Sequence, residues 1–216
     1  PVHALYLASQ PPIHDGKAPI AQSYRWTDTV NGWTYEGYEH QKTFVDAYTD
    51  ADRVEIFVNG KSAGSAQVTD YFAKIPCIYE PGELVGVGYD AEGKELYRTT
   101  VHTAEKDTVL TVQADRTTLQ AGGQDFCFID VWVTDSKGTV KLLPDHEVTV
   151  QVEGAAILQG FGSAAYKNEE AYNQTHHRSY LGHLQAVLRT TDKPGTVKVT
   201  FTADGCQDAA IVLTTV

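Results

Sequence analysis

The chain has 216 residues, with 28 Asp and Glu against 17 Lys and Arg, giving a formal net charge of −11. Its positive charges are scattered rather than gathered into a stripe, so a nucleic-acid backbone or an anionic membrane surface would be repelled, and neither is expected as a partner. The sequence as it stands holds no long apolar run and no charged-then-apolar amino terminus, which excludes a membrane-spanning helix and a signal peptide within it.

This length suits one large β domain or two smaller ones, each able to bury a core. The chain opens on Pro1 and has no Met, as expected of a piece of a larger protein. Cys77, Cys127 and Cys206 are an odd number at wide spacing with no C-x-x-C, which points away from zinc and redox work. Three reduced thiols are expected, with a Cys127–Cys206 bridge as the alternative. No cofactor is expected.

Residues 1–40 read as a connector. Pro11, Pro12 and Pro19 break regular structure, and Gly16, Gly32 and Gly37 sit among polar residues. Tyr6, Tyr24, Trp26, Trp33, Tyr35 and Tyr38 are costly to leave in water, so this arm must pack on something; covering the first sandwich is the plainer reading of these rings and sugar binding the alternative. Trp26 and Trp33 are the arm's candidates for interdomain docking.

Residues 41–104 give short alternating strands. In Val54–Val58, Val54, Ile56 and Val58 share one face, and Asn59-Gly60 supplies the two positive-φ residues of a type I′ turn into a second strand. Phe44–Tyr48, Leu84–Tyr89 and Glu95–His102 are further strands, while Asp70–Leu84, with two prolines, is an edge or arch segment. Ala104–Thr108 is a polar seam, and the second domain, 105–216, follows. Its strands run over Thr108–Ala114, Phe126–Thr134, Glu147–Glu153, His183–Arg189, Val197–Ala203 and Ala209–Val216. Turn signals at this spacing argue for an antiparallel Greek-key sandwich. The fold class is therefore all-β, with two consecutive Ig-like antiparallel β-sandwich domains preceded by an aromatic-rich connector.

Several stretches carry a family resemblance. Tyr48-x-Asp-Ala-Asp-x-Val-Glu55, Phe57-x-Asn-Gly-Lys-Ser62 and Tyr79-Glu-Pro-Gly-Glu-Leu84 are similar to an accessory β-sandwich of family 2 glycoside hydrolases, the β-galactosidase group. Trp33-Thr-Tyr-Glu-Gly-Tyr-Glu39 resembles the segment that leads from the catalytic barrel into that sandwich. Ala114-Asp-Arg-Thr-Thr-Leu119, Gly123-Gln-Asp125, Val152-Glu-Gly154 and Lys193-Pro-Gly-Thr-Val197 resemble the Ig-like domain that follows it. The resemblance implies a non-catalytic carboxy-terminal region of a bacterial β-galactosidase-type enzyme, with the catalytic barrel of the same polypeptide as partner and bacterial cytoplasm, secretion and the cell surface all open as compartments. A free-standing carbohydrate-binding or adhesin-like module is the alternative.

Glycoside hydrolysis needs two carboxylates flanking the bond on a rigid scaffold. Glu36, Glu39, Glu80 and Glu83 fall in loops and are expected to be solvated, so no catalytic residue is assigned. Gly160-Phe-Gly-Ser lacks the context of a nucleophile elbow. His176 and His177 point apart on an extended chain, and Asp46, Asp50 and Asp52 do not form a calcium loop. Two sharper candidates remain. On Phe126–Thr134, Cys127, Ile129, Val131 and Val133 form an inward face, which leaves Phe126, Phe128, Asp130 and Trp132 outward. Such a row of rings implies a second buried contact, through Phe126, Phe128 and Trp132, with another domain or with loops of its own. The Gly160–Gly182 loop carries Tyr166, Tyr172, Asn173, His176 and Arg178, the ingredients of an oligosaccharide subsite in which rings stack on pyranose CH faces and polar groups meet hydroxyls. A self-packed loop is the plainer reading of the same residues.

Overall fold

The computed structural model describes residues 3–14 and 27–216. Its elements are strands, with one short 3₁₀ turn at Pro12–His14. The chain divides into two compact units, Pro1–Thr103 and Ala104–Val216. Each is an Ig-like β-sandwich.

The first unit contains β1 (Leu5–Ser9), β2 (Lys42–Thr49), β3 (Arg53–Val58), β4 (Lys61–Gln67), β5 (Phe72–Ile78), β6 (Glu83–Tyr89) and β7 (Glu95–His102). One sheet has the order β1-β2-β5 and the other β4-β3-β6-β7, with every pairing antiparallel. Val54, Ile56 and Val58 are buried as their alternation requires, facing a core that also takes Val45, Ala47, Ala73 and Ile75 from the opposing sheet. The β3–β4 turn has Asn59 at φ 50° and Gly60 at φ 77°, the left-handed pair of a type I′ hairpin. Asn59 does more than turn the chain. Its Nδ2 donates to Pro81 O at 2.9 Å and its Oδ1 accepts from Glu83 N at 2.8 Å, tying the hairpin to the loop ahead of β6.

Two parts of the connector are built into the first unit. Residues 5–9 are a full strand, paired to β2 from Leu5↔Thr49 to Ser9↔Val45. Leu5 and Leu7 are buried, and the signal was five residues long beside a proline-rich stretch, too short to stand out. Trp33, expected among the docking residues, is 0% exposed inside the first unit. It packs edge-on against Tyr79, and Tyr35 does the same from 5.3 Å. Tyr35 O–H donates to Ser9 O at 3.1 Å, Tyr35 N donates to Tyr79 Oη at 3.1 Å and Thr103 Oγ1 donates to Trp33 O at 2.6 Å. Each polar tip thus finds a partner, which is the condition for burying tyrosine and tryptophan. Burial pushes the Tyr35 phenol well above its usual range. Trp26 lies outside the described residues.

The second unit contains β8 (Val109–Ala114), β9 (Thr118–Leu119), β10 (Phe126–Thr134), β11 (Glu147–Gly154), β12 (Ala156–Gly162), β13 (His176–Arg178), β14 (His183–Thr190), β15 (Gly195–Ala203) and β16 (Ala209–Thr215). The sheets run β12-β14-β10-β8 and β13-β11-β15-β16-β9, antiparallel except for the β16–β9 contact. Cys127, Ile129, Val131 and Val133 of β10 are fully buried, joined by Leu184, Ala186 and Leu188 of β14 and by Val197, Val199 and Phe201 of β15. Each such apolar side chain contributes on the order of 1.5–3 kcal/mol when taken from water. β10 occupies the span its alternation predicts, whereas β12 and β13 fall in or beside the stretch read as a loop. Phe161 explains part of that: it is a core residue between Gly160 and Gly162, a single apolar ring that gives no visible period.

The turn after β10 is built on Asp135. Its Oδ1 accepts from Lys137 N at 2.9 Å and Thr139 N at 2.8 Å, and its Oδ2 accepts from Glu105 N at 2.8 Å. Burial alone would raise this carboxyl; the amides of Glu105, Thr139 and Lys137 outweigh it and hold the group below its usual range. All three cysteines are free. Burial pushes the thiols of Cys77 and Cys127 up to about 12.

Candidate functional site

On β10 the outward side chains alternate with the core row. Phe126 and Phe128 remain 37% and 44% exposed, while Trp132 is half-buried. Across the β10–β14 register Phe128 lies opposite Val187, Asp130 opposite Gln185 and Trp132 opposite His183. These pairs form a polar knot beside the rings. Asp130 Oδ1 lies 3.1 Å from His183 Nε2 and accepts from Gln185 Nε2 at 3.0 Å, and the Trp132 and His183 rings sit 5.4 Å apart. The same outer face continues onto β12, where Gly160 stands opposite Val187 and Gly162 opposite Gln185.

Between β12, β14 and the loop that follows β12 is a cleft of about 520 Å³. Gly160 and Gly162 leave its floor bare on one side, while Val187, Gln185 and His183 line the other. Tyr172 forms its wall. This ring is stacked on His177 at 5.4 Å with planes 19° apart, its O–H donates to Ser163 O at 3.3 Å, and its carbonyl accepts from Phe161 N at 2.8 Å. A Cβ at Gly162 would lie 2.2 Å from the Tyr172 ring, so only glycine admits the ring at this place. His177 is itself fully buried, bonded through Nδ1 to Arg178 O at 2.9 Å and through Nε2 to Asn168 Nδ2 at 2.9 Å.

The five residues expected to make a sugar subsite do not converge. Tyr172 lines the cleft. Tyr166 is exposed beside the Lys167 ammonium, 5.9 Å from its ring centroid, and is not among the cleft's lining residues. Asn173 and His176 are exposed, the latter on β13 opposite Thr149. Arg178 borders a separate hollow of about 300 Å³ with Asp145, Lys167 and Glu170, and its backbone N–H donates to Glu170 Oε2 at 3.0 Å. The reason is β13: once His176–Arg178 pair with β11, alternation sends His177 into the core and its neighbours outward. His183 and Gln185 were missed as site residues, although the alternation His183-Leu-Gln-Ala-Val187 already places them together on one face.

The first unit has two surface features of its own. A larger, mostly apolar cleft of about 750 Å³ opens between the β3–β4 hairpin and the β2–β5 edge, lined by Phe44, Val58, Lys61, Pro76 and Ile78 among others. Tyr6, Tyr48 and Phe72 form a row on the outer side of β1-β2-β5, with centroids 6.4 and 5.4 Å apart. Of the carboxylates weighed for catalysis, Glu80 pairs with His40 Nδ1 at 2.6 Å, Glu39 accepts from Gly37 N at 3.2 Å and Glu83 opens β6.

Residues 110–212 match the family described as glycoside hydrolase family 2 C-terminal domain 5, and residues 40–97 match a domain of unknown function, DUF4982. The chain belongs to the carboxy-terminal accessory β-sandwich regions of glycoside hydrolase family 2. It is similar to the β-galactosidase BoGH2A of Bacteroides ovatus, with 30% identity over 166 residues, 76% of this chain and 19% of that protein. It is also similar to the crystal structure of a glycosyl hydrolase family 2 member from Bacteroides cellulosilyticus, with a TM-score of 0.82 and 27% identity, covering 98% of this chain and 28% of that one. A β-glycosidase from Bacteroides vulgatus shares the fold, with a TM-score of 0.71 and 23% identity over 86% of this chain and 24% of that one. The chain thus spans about a fifth of the curated relative it matches.

Proposed function

We propose that the chain is a non-catalytic carboxy-terminal segment of a longer family 2 glycoside hydrolase of β-galactosidase type. In that setting its two sandwiches pack beside the catalytic barrel, support it, and supply part of the surroundings of the substrate cleft or of an oligomer contact. The observation that carries this reading is coverage: nearly all of this chain aligns with a family 2 structure of which it makes up only 28%. The partly exposed pair Phe126 and Phe128 supports it, because two neighbouring phenyl rings on one sheet face gain free energy when a neighbour takes their remaining surface from water. The engagement of Glu39 and Glu80 in local contacts fits a region that leaves the chemistry to another domain.

The test is turnover of a nitrophenyl β-galactoside by the 216-residue chain and by the longer polypeptide in parallel. The longer polypeptide is expected to hydrolyse it and the chain alone to be inert. Turnover by the chain alone overturns the assignment, and so does an inert longer polypeptide that turns over none of the common nitrophenyl glycosides.

A further inference from the structure

The cleft beside Tyr172 has a composition unlike that of a surface waiting for a protein partner. One wall is an aromatic ring, 53% exposed, held in place from behind by His177 and below by the bare Cα of Gly162. The facing wall offers hydrogen-bonding groups, the Gln185 amide and the His183 imidazole, both held beside the Asp130 carboxylate. No Lys, Arg, Asp or Glu is among the residues that line it. The nearest guanidinium on β14, that of Arg189, is bonded to Gln159 Oε1 at 3.0 Å and Gly123 O at 3.1 Å. Its size, about 520 Å³, falls within the range of about 300–1,000 Å³ found for small-molecule sites.

Each of these features narrows the ligand. A stacking ring facing an amide and an imidazole matches a molecule with an apolar face and hydroxyl edges. No Lys or Arg lines the cleft among the described residues, and in a chain of net charge −11 this disfavours uronates, phosphates and sulfated sugars.

We propose that this cleft is a subsite for a neutral oligosaccharide, with Tyr172 stacking on a pyranose face and Gln185 and His183 meeting its hydroxyls. Gly162 has a part in this arrangement, since the absence of a Cβ there is what lets the Tyr172 ring lie against β12, while Phe161 beside it anchors the strand in the core. The subsite is formed by residues of the second unit alone and borders the Phe126–Phe128 strip through Val187, so its binding test is made on the 216-residue chain, where that strip is exposed.

The experiment is saturation-transfer NMR and calorimetry on the 216-residue chain, using β-1,4-galactobiose and cellobiose as neutral probes and trigalacturonate as the charged one. At least one neutral disaccharide is expected to bind saturably, with a dissociation constant of about 1 mM. Tyr172→Ala and Gly162→Ala should each weaken it about tenfold, Gln185→Ala by a few-fold, and Tyr172→Phe should retain it, since the ring is what stacks. Gln185 lies on β14 and not in the loop, so Gln185→Ala decides the matter even where the alanine variant at Tyr172 folds poorly. The proposal is overturned by no binding of either neutral probe, by tighter binding of trigalacturonate, or by affinity that is unchanged in Gln185→Ala and Tyr172→Ala. Because the readout is binding, its failure leaves the turnover comparison of the preceding section untouched.

Discussion

The indole of Trp33 meets the ring of Tyr79 edge-on, with centroids 5.0 Å apart and planes 72° from parallel, and its Nε1–H donates to Glu80 O at 2.9 Å. A residue from the amino-terminal arm therefore completes the core of the first unit. Trp33→Ala should destabilise that unit by about 3–5 kcal/mol, the cost of deleting a buried aromatic and leaving a cavity. Trp33→Phe should recover most of the packing and lose about 1 kcal/mol for the unpaired Glu80 carbonyl. Urea unfolding of the chain, followed by far-UV circular dichroism, checks both; an unchanged midpoint for Trp33→Ala would place the ring outside the core.

How much of this was legible in the sequence varies with how local each signal is. The Phe126–Thr134 strand and the Asn59-Gly60 turn follow from alternation and from a two-residue backbone requirement, both readable in a short window. Trp33, β1 and His177 were not, because their partners are 47, about 40 and 9 residues away respectively and nothing in the local pattern names them. The cleft fell between these cases. Its Tyr172 wall is one of the loop's polar-tipped rings, yet its opposite wall belongs to β14, whose pairing with β12 brings Gln185 across to Gly162. Tyr166, Asn173, His176 and Arg178 share the loop's sequence without sharing the cleft.

Asn59 combines a left-handed backbone with two side-chain bonds to the Pro81–Glu83 segment. Asn59→Gly keeps the turn and loses the bonds, at an expected cost of about 1–2 kcal/mol; Asn59→Ala loses both and should cost about 1 kcal/mol more. Thermal unfolding of the two variants side by side separates the terms. Equal losses would mean that the side-chain bonds carry all of the effect.

Cys77 and Cys127 tie stability to alkaline pH. Burial raises both folded-state thiols to about 12, whereas an unfolded thiol titrates near about 8.5. Between these values the unfolded chain has released a proton that the folded chain still holds, so stability falls as pH rises, by up to about 1.4 kcal/mol per pH unit for each thiol. Raised tyrosines such as Tyr35 act in the same direction from about pH 10 upward, so the informative quantity is the difference between the wild type and Cys77→Ala/Cys127→Ala. The urea midpoint of the wild type should drop more steeply from pH 8 to pH 10 than that of the double variant. Parallel profiles would show the thiols to be solvent-equilibrated.

A supporting segment has its β10 outer face covered in the longer polypeptide, and Phe128 reports on that cover most directly. With Phe128→Cys in a background where Cys206 is alanine, maleimide labelling should be fast in the 216-residue chain, where this position is 44% exposed. In the longer polypeptide the same thiol should label at least about tenfold more slowly, as expected of a group buried under a neighbouring domain. Equal labelling rates in the two would contradict the claim.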